Sequence, residues 1–220
     1  MSYILDPSHW EWTDPNSIGQ LLLDHLGLTG LSMLIALAIA FPLALIAARY
    51  PRIYLPVITA AGILYTIPSL AFMAVLIPFT GLSVNTVGIP LVLYAQVVLI
   101  RNIVAAIHAV DPGLVEVGRA MGMSSRQLQR YVVLPLALPV IIAGLRVATV
   151  TTIGIATIAP LFGVTDLGYL IFQGFNTSYA EQVLAGVIVV SVLAVAVDLF
   201  LLLVQRSLDR GQRAAAAPRV

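Results

Sequence analysis

The sequence predicts an all-α integral membrane protein of about five transmembrane helices, and three observations predict it. Hydrophobic residues fill 60% of the 220 positions and charged residues 10%, with a mean hydropathy of +1.02; an ordinary soluble domain is roughly 45–50% apolar and about 25% charged. The few charges leave between them uncharged stretches near the length of about 20 residues that a bilayer-crossing helix needs. Arginines and carboxylates are also segregated along the chain, as they are when loops alternate between the two sides of a membrane.

Taken in order, residues 1–27 form an acidic leader with Asp6, Trp10, Glu11, Trp12 and Asp14, and no basic residue precedes Arg49. A secretory signal peptide opens with positive charge, so the leader is expected to be retained outside, with its tryptophans at the interface. The first span is expected at Leu28 to Ala48. Residues 53–100 carry no charge, and the turn-rich string PFTGLSVNTVG, Pro78 to Gly88, divides them. A second span near Ile53 to Ile77 and a third near Gly88 to Ile107 result. A polar connection follows over residues 108–134, then a fourth span at Pro139 to Ile158. Leu167 to Phe175 is apolar but too short to cross, so it predicts a short interfacial or re-entrant helix. The fifth span is expected at Gln182 to Val204, with residues 205–220 as a tail. No inverted repeat is evident, which argues against a carrier built from two related halves.

Arginine placement orients these spans. Arg49 and Arg52 fall between the first and second; Arg119, Arg126 and Arg130 fall between the third and fourth; Arg206, Arg210, Arg213 and Arg219 follow the fifth. Asp6, Glu11, Asp14, Asp24, Asp166 and Glu181 fall on the other side. The positive-inside rule therefore predicts an external N-terminus, with the 108–134 loop and the C-terminus in the cytoplasm.

The residue inventory excludes several chemistries. The chain has no cysteine, and all 11 basic residues are arginine, so it has neither thiolate sites nor the lysine of a phosphate-binding P-loop. His9, His25 and His108 lack metal-ligand spacing, and no nucleophile stands with a base. No catalytic residue and no metal site is expected.

The connection over residues 108–134 is long for a mere loop, and the string VEVGRAMGMSSRQLQRYVVLPLALP, Val115 to Pro139, is charged and helix-like. Asp111-Pro112 reads as a helix cap followed by proline in the first turn, Gly122 as a left-handed stop, and Ser124 or Ser125 as a second cap. Two short helices joined at a glycine are expected, with Met121, Met123 and Leu128 available for a protein groove.

Glu116, Gly122, Val132, Leu134 and Pro135 follow the spacing E-x5-G-x9-[IV]-x-L-P. The loop thereby resembles the "EAA" signature of permease subunits in binding-protein-dependent ABC importers, with Val117-Gly118 in place of two alanines. YTIPSLAFMAVLIPFTGLS, RNIVAAIHAVDP, LPLALPVIIAGLRVATV and LGYLIFQGFN are similar to the osmoprotectant branch of those permeases, which imports glycine betaine, choline and carnitine. The resemblance implies the type I importer permease fold in a bacterial or archaeal cytoplasmic membrane, surrounded by lipid and without nucleic acid. It implies a coupling helix docked on a cytoplasmic ATPase dimer that binds the ATP and magnesium, this chain binding no cofactor. It implies also a second copy or a sister permease, and an external substrate-binding protein.

The same resemblance assigns the coupling element to Glu116, Gly118, Arg119, Ala120, Met121, Gly122, Met123, Leu128, Val132, Leu134 and Pro135. Glu116 would contact the ATPase and cap the helix, Gly122 would permit the bend, and Leu134-Pro135 would tie the element to the fourth span. Alternatives at this point are a methionine-type or other permease branch, a stand-alone channel or carrier, and a scaffold with no path.

Arg101, Arg146 and Asp198 are the charges inside spans, where each is costly. All three lie roughly 9–10 Å from a cytoplasmic span end at about 1.5 Å per residue, so Asp198 is expected to pair with Arg101 or Arg146, the bland alternative being snorkelling arginines. Tyr65, Pro68, Ser69 and Tyr94 are candidates for a translocation path: Pro68 permits a hinge and the two rings offer π-faces to a quaternary ammonium. Ordinary aromatic packing is the competing reading.

Overall fold

The computed structural model describes residues 2–216, with side chains described for residues 3–209. Arg219 lies outside the described residues, as do the side chains of Arg210 and Arg213. The helices are α1 (Ser2–Leu5), α2 (Ile18–Arg49), α3 (Pro51–Thr66), α4 (Ser69–Thr80), α5 (Val84–His108), α6 (Pro112–Ala120), α7 (Ser125–Leu128), α8 (Leu134–Ala156), α9 (Gly168–Asn176) and α10 (Ala180–Ala216). Four stretches are long and apolar enough to cross a membrane: Ile18–Arg49, Val84–His108, Ser125–Ala156 and Ala180–Asp209. The pair α3 and α4, bent by 91°, is the fifth candidate.

The first helix begins ten residues before its expected start, so the last part of the 1–27 segment is helix and not leader. Ser17 sets that start by accepting the Gln20 N–H at 3.3 Å. Proline sets its end: Tyr50, ahead of Pro51, is forced out of the helical region to φ −123°, ψ 90°. The proline then opens α3, where its missing N–H costs nothing. Ala36, Ala40, Ala44 and Ala47 repeat along one face of α2 and are buried against Leu99, Ile100, Ile103 and Val104 of α5. Small side chains on that face let the two backbones approach closely, as membrane helices require for packing without a hydrophobic drive.

The expected second span is two helices. Ile67, ahead of Pro68, is extended at φ −69°, ψ 128°, and the chain turns there. Its carbonyl accepts the Tyr94 hydroxyl at 2.8 Å, so α5 supplies the hydrogen bond that the broken helix lacks. The turn between α4 and α5 is shorter than PFTGLSVNTVG suggests. Pro78 stays within α4, Gly81 at φ 68° stops it, and α5 starts at Val84.

In the rest of the bundle α5 packs on α8, α8 on α10, and α10 on α9. The fourth span is longer than expected, since α7 and α8 run on as one stretch from Ser125 to Ala156. The turn Gln129–Val133 between them is wider than α-helix, with the Leu134 N–H bonding the Gln129 carbonyl five residues back. Pro135 and Pro139, which cannot donate to residues 131 and 135, give the physical reason for that widening. The leader folds back over the end of the bundle near α9, with Tyr3 stacked on His9 at 3.7 Å and packed with Ile18, Leu170 and Ala185. On α10, Val192, Val195, Phe200 and Leu203 are each about 60% exposed; such a face is stable in hydrocarbon and a liability in water.

Candidate functional site

The 108–134 loop folds into a compact projection whose parts are fixed locally. The Asp111 carboxylate accepts the Gly113 N–H at 2.8 Å and starts α6. Asp111 therefore caps this helix and Glu116 does not: Glu116 lies mid-helix and exposed, too far along to reach the unpaired N–H groups of the first turn. At the other end Met123 N–H bonds the Gly118 carbonyl at 3.1 Å and Gly122 N–H bonds that of Arg119 at 2.9 Å. These two bonds close the helix in a Schellman turn, which needs a left-handed residue, and Gly122 provides it at φ +81°. Ser124 and Gln127 then form a reciprocal capping box that starts α7.

Gly118 faces Leu128, and a Cβ on it would stand 2.6 Å from the leucine Cδ2. This contact seats α6 on α7 and corrects two expectations. Leu128 is buried at 6% exposure and holds the projection together, so it offers nothing to a partner. The second short helix is no separate element but the first turn of the α7–α8 stretch, so Val132, Leu134 and Pro135 lie inside a continuous helix. Exposed apolar surface is supplied by Leu114, Val117 and Met121; Met123 is half-buried, and Arg119 and Ala120 are exposed. Leu114 and Val117 were not singled out in the sequence, although their spacing with Met121 repeats a helical face.

Within the spans, Arg146 meets Asp198 in two parallel contacts, Nε to Oδ1 at 2.9 Å and an NH2 to Oδ2 at 2.8 Å. Its remaining nitrogen donates to Gln205 Oε1 at 3.0 Å. The fork geometry gives direction as well as charge neutralisation. Arg101 stands apart, exposed, with no ion pair among the described residues. The expected pair is therefore Arg146–Asp198.

Tyr65, Phe72 and Tyr94 cluster at the α3–α4 break, with Tyr65 and Phe72 each edge-on or tilted to Tyr94 at 5.8 and 5.9 Å. Pro68 is exposed and Ser69 half-buried beside them. The Tyr94 ring is 4% exposed and its hydroxyl is spent on Ile67. Tyr65, 44% exposed, is the ring with a free face.

Two polar features escaped the sequence. His25 and Asp166, both fully buried, stand 2.9 Å apart and join α2 to the segment before α9. Asp166 Oδ1 accepts the Gly168 N–H at 2.8 Å, and burial pushes its carboxyl up from the usual aspartate range against the pull of His25. Gln96 donates to the carbonyls of Ala36 and Val92, tying α2 to α5 in mid-bundle. Asp166 lies in the connection before α9, where the charge pattern puts it, but is buried there and not solvated. The available signal was a histidine at the edge of one apolar run and a lone carboxylate between two others.

Comparison with known proteins agrees with this geometry. The model of the family described as binding-protein-dependent transport system inner membrane component matches residues 20–213. The osmoprotectant import permease protein OsmW of Salmonella typhimurium is 35% identical over 199 residues, covering 88% of this chain and 93% of that protein. The carnitine transport permease protein OpuCD of Listeria monocytogenes is 40% identical over 186 residues, covering 84% and 83%. The choline transport system permease protein OpuBD of Bacillus subtilis is 38% identical, covering 84% and 82%. Among solved structures, a chain of the inward-facing methionine ABC transporter MetNI aligns over 87% of this chain and 95% of its own with a TM-score of 0.78. Its 22% identity makes that a likeness of fold. With a type I importer permease fold and a family match over nearly its whole length, this chain belongs to the inner-membrane permease components of binding-protein-dependent ABC importers.

Proposed function

We propose that the chain is the permease subunit of an ATP-driven importer for small zwitterionic or quaternary-amine osmoprotectants such as glycine betaine, choline or carnitine. It works with a second permease copy or sister permease, an external binding protein, and a cytoplasmic ATPase dimer that holds the ATP and magnesium. The N-terminus is outside, and residues 108–134 and the tail are in the cytoplasm. One observation carries the coupling role: α6 is locked to α7 through Gly118 and the Gly122 turn, yet leaves Leu114, Val117 and Met121 uncovered. A rigid knob with an apolar face transmits a push or a pull, whereas a slack loop would absorb it. Glu116 is a polar contact on the same helix, Leu134 and Pro135 carry the motion into α8, and Tyr65 is the ring best exposed to meet a quaternary ammonium. The relatives named for osmoprotectant, carnitine and choline transport support the substrate class.

Gly122→Val tests the coupling. A β-branched residue is strained at φ +81°, so the variant is expected to insert at wild-type levels and lose uptake of labelled glycine betaine, choline and carnitine with its ATPase and binding protein. Gly122→Asn, tolerated in left-handed turns, should retain most of it. Wild-type uptake by Gly122→Val at equal expression removes the coupling assignment. Failure of the wild-type complex to move any of the three compounds removes the substrate class.

A further inference from the structure

The end of the bundle that carries α6 contains a hollow of about 570 Å³ between the last turns of α2 and α5 and the elements α6 and α7. Arg49, Arg119 and Arg126 line it together with Ile46, Ile107 and Leu128, and no carboxylate does. Among the described residues none of the three arginines has an ion-pair partner; the Arg49 guanidinium lies 5.7 Å from the Tyr50 ring centroid. Arg49, Arg119 and Arg126 are exposed, and three cations gathered around an apolar floor match a ligand with an anionic head and a hydrocarbon body. We propose that this hollow seats the headgroup and upper acyl portion of one anionic phospholipid of the cytoplasmic leaflet, bridging the end of α2 to the coupling helix.

Position favours a lipid over other anions. Ile46 and Arg49 are in the last turn of α2 and Ile107 in that of α5, so the hollow opens where two spans leave the hydrocarbon, the level at which basic pockets meet anionic headgroups. Inorganic phosphate would satisfy the arginines but leave Ile46 and Ile107 against water. The ATPase is a poorer occupant because α6 presents it a different side. At about 100° per residue, Val115 and Arg119 face the hollow while Leu114, Val117 and Met121 point the opposite way. The volume lies in the range of roughly 300–1,000 Å³ usual for small-molecule pockets. A lipid held by Arg49 on α2 and Arg119 on α6 would stiffen the angle between a span and the projection that moves it. This rests on the cytoplasmic placement of residues 108–134 proposed above.

The test is native mass spectrometry of the full chain in neutral detergent, titrated separately with dioleoyl phosphatidylglycerol, dioleoyl phosphatidylcholine and inorganic phosphate, and repeated on the complex with the ATPase. Wild type should bind one phosphatidylglycerol in preference to phosphatidylcholine, with and without the ATPase, and inorganic phosphate should not displace it. Arg49→Gln combined with Arg126→Gln should weaken phosphatidylglycerol binding about thirtyfold, each arginine near an anionic headgroup being worth about a factor of five. Arg49→Lys with Arg126→Lys should keep the preference, as should Arg206→Gln, which lies outside the hollow. Equal binding of the two lipids overturns the proposal, as does an unchanged preference in the double Gln variant. Displacement by inorganic phosphate would make it a free-anion site, and loss of the lipid in the complex would give the hollow to the ATPase. Lipid preference with no osmoprotectant uptake would defeat the transport reading alone.

Discussion

At the scale of single residues, Asp198, Arg146 and Gln205 satisfy one another where a bilayer offers no water. The Arg146 fork takes both Asp198 oxygens and Gln205 takes a third donor, so removing one charge strands the other. Asp198→Asn and Arg146→Gln are each expected to lower the thermal unfolding temperature of the protein in detergent, and the double variant should lie closer to wild type than the sum of the two. Arg101→Gln should add independently to either. Strict additivity of Asp198 with Arg146 sinks the pairing. The sequence made these charges conspicuous because so few interrupt the apolar runs. It left Arg101 and Arg146 level because depth along a helix is legible and rotation toward a particular neighbour is not. Leu128 failed for a related reason: an apolar residue on a short helix looks the same whether its face meets a partner or the adjacent turn, and only the fold brings Gly118 over it.

Among elements, proline and its repair decide where helices end and bend. Pro68 was legible as a hinge, but the 91° turn there depends on a distant hydroxyl, that of Tyr94 on Ile67. Tyr94→Phe is expected to cost about 1 kcal/mol, the ordinary net worth of one hydrogen bond, while Tyr65→Phe, whose hydroxyl makes no such bond among the described residues, should unfold like wild type. Equal unfolding midpoints for the two variants would show that the break stands without that bond. The short helix α9 is held in the same way, by Asp166 on the Gly168 N–H and beside His25. Asp166→Ala leaves a buried imidazole and a buried amide without their neighbour and should destabilise by roughly 1–3 kcal/mol. Asp166→Asn, which keeps an acceptor for Gly168, should cost less, and an Asn variant as unstable as Ala would assign the stabilisation to the charge. Neither bond could be read beforehand, since each joins residues far apart in sequence through side chains that also suit a loop.

For the whole molecule, the sequence carried the class of fold and the candidate spans, four long helices and a bent pair as the fifth, because both follow from where charge is absent. The ends of the spans were misjudged because helices longer than the hydrocarbon continue into polar sequence. Thus α2 begins at Ile18 and the fourth span at Ser125, each well before its apolar core. The proposed orientation rests on a different property, the gathering of Arg49, Arg52, Arg119, Arg126, Arg130 and Arg206 in alternate connections between the expected spans. The chain's lack of cysteine makes this directly measurable. Single cysteines at Thr13, Ser125 and Ser207, all exposed in the fold, report on the leader, the coupling projection and the last helix without a background signal. In sealed right-side-out vesicles a membrane-impermeant maleimide should label Thr13→Cys, and should reach Ser125→Cys and Ser207→Cys only after the membrane is opened. Labelling of Ser125→Cys from outside would carry the projection away from any cytoplasmic ATPase and the three-arginine hollow away from the cytoplasmic leaflet. Labelling of Thr13→Cys and Ser207→Cys from the same side would mean an even number of crossings. The bent pair α3 and α4 would then be a re-entrant loop that returns to the side it entered from, with Pro68 at its tip.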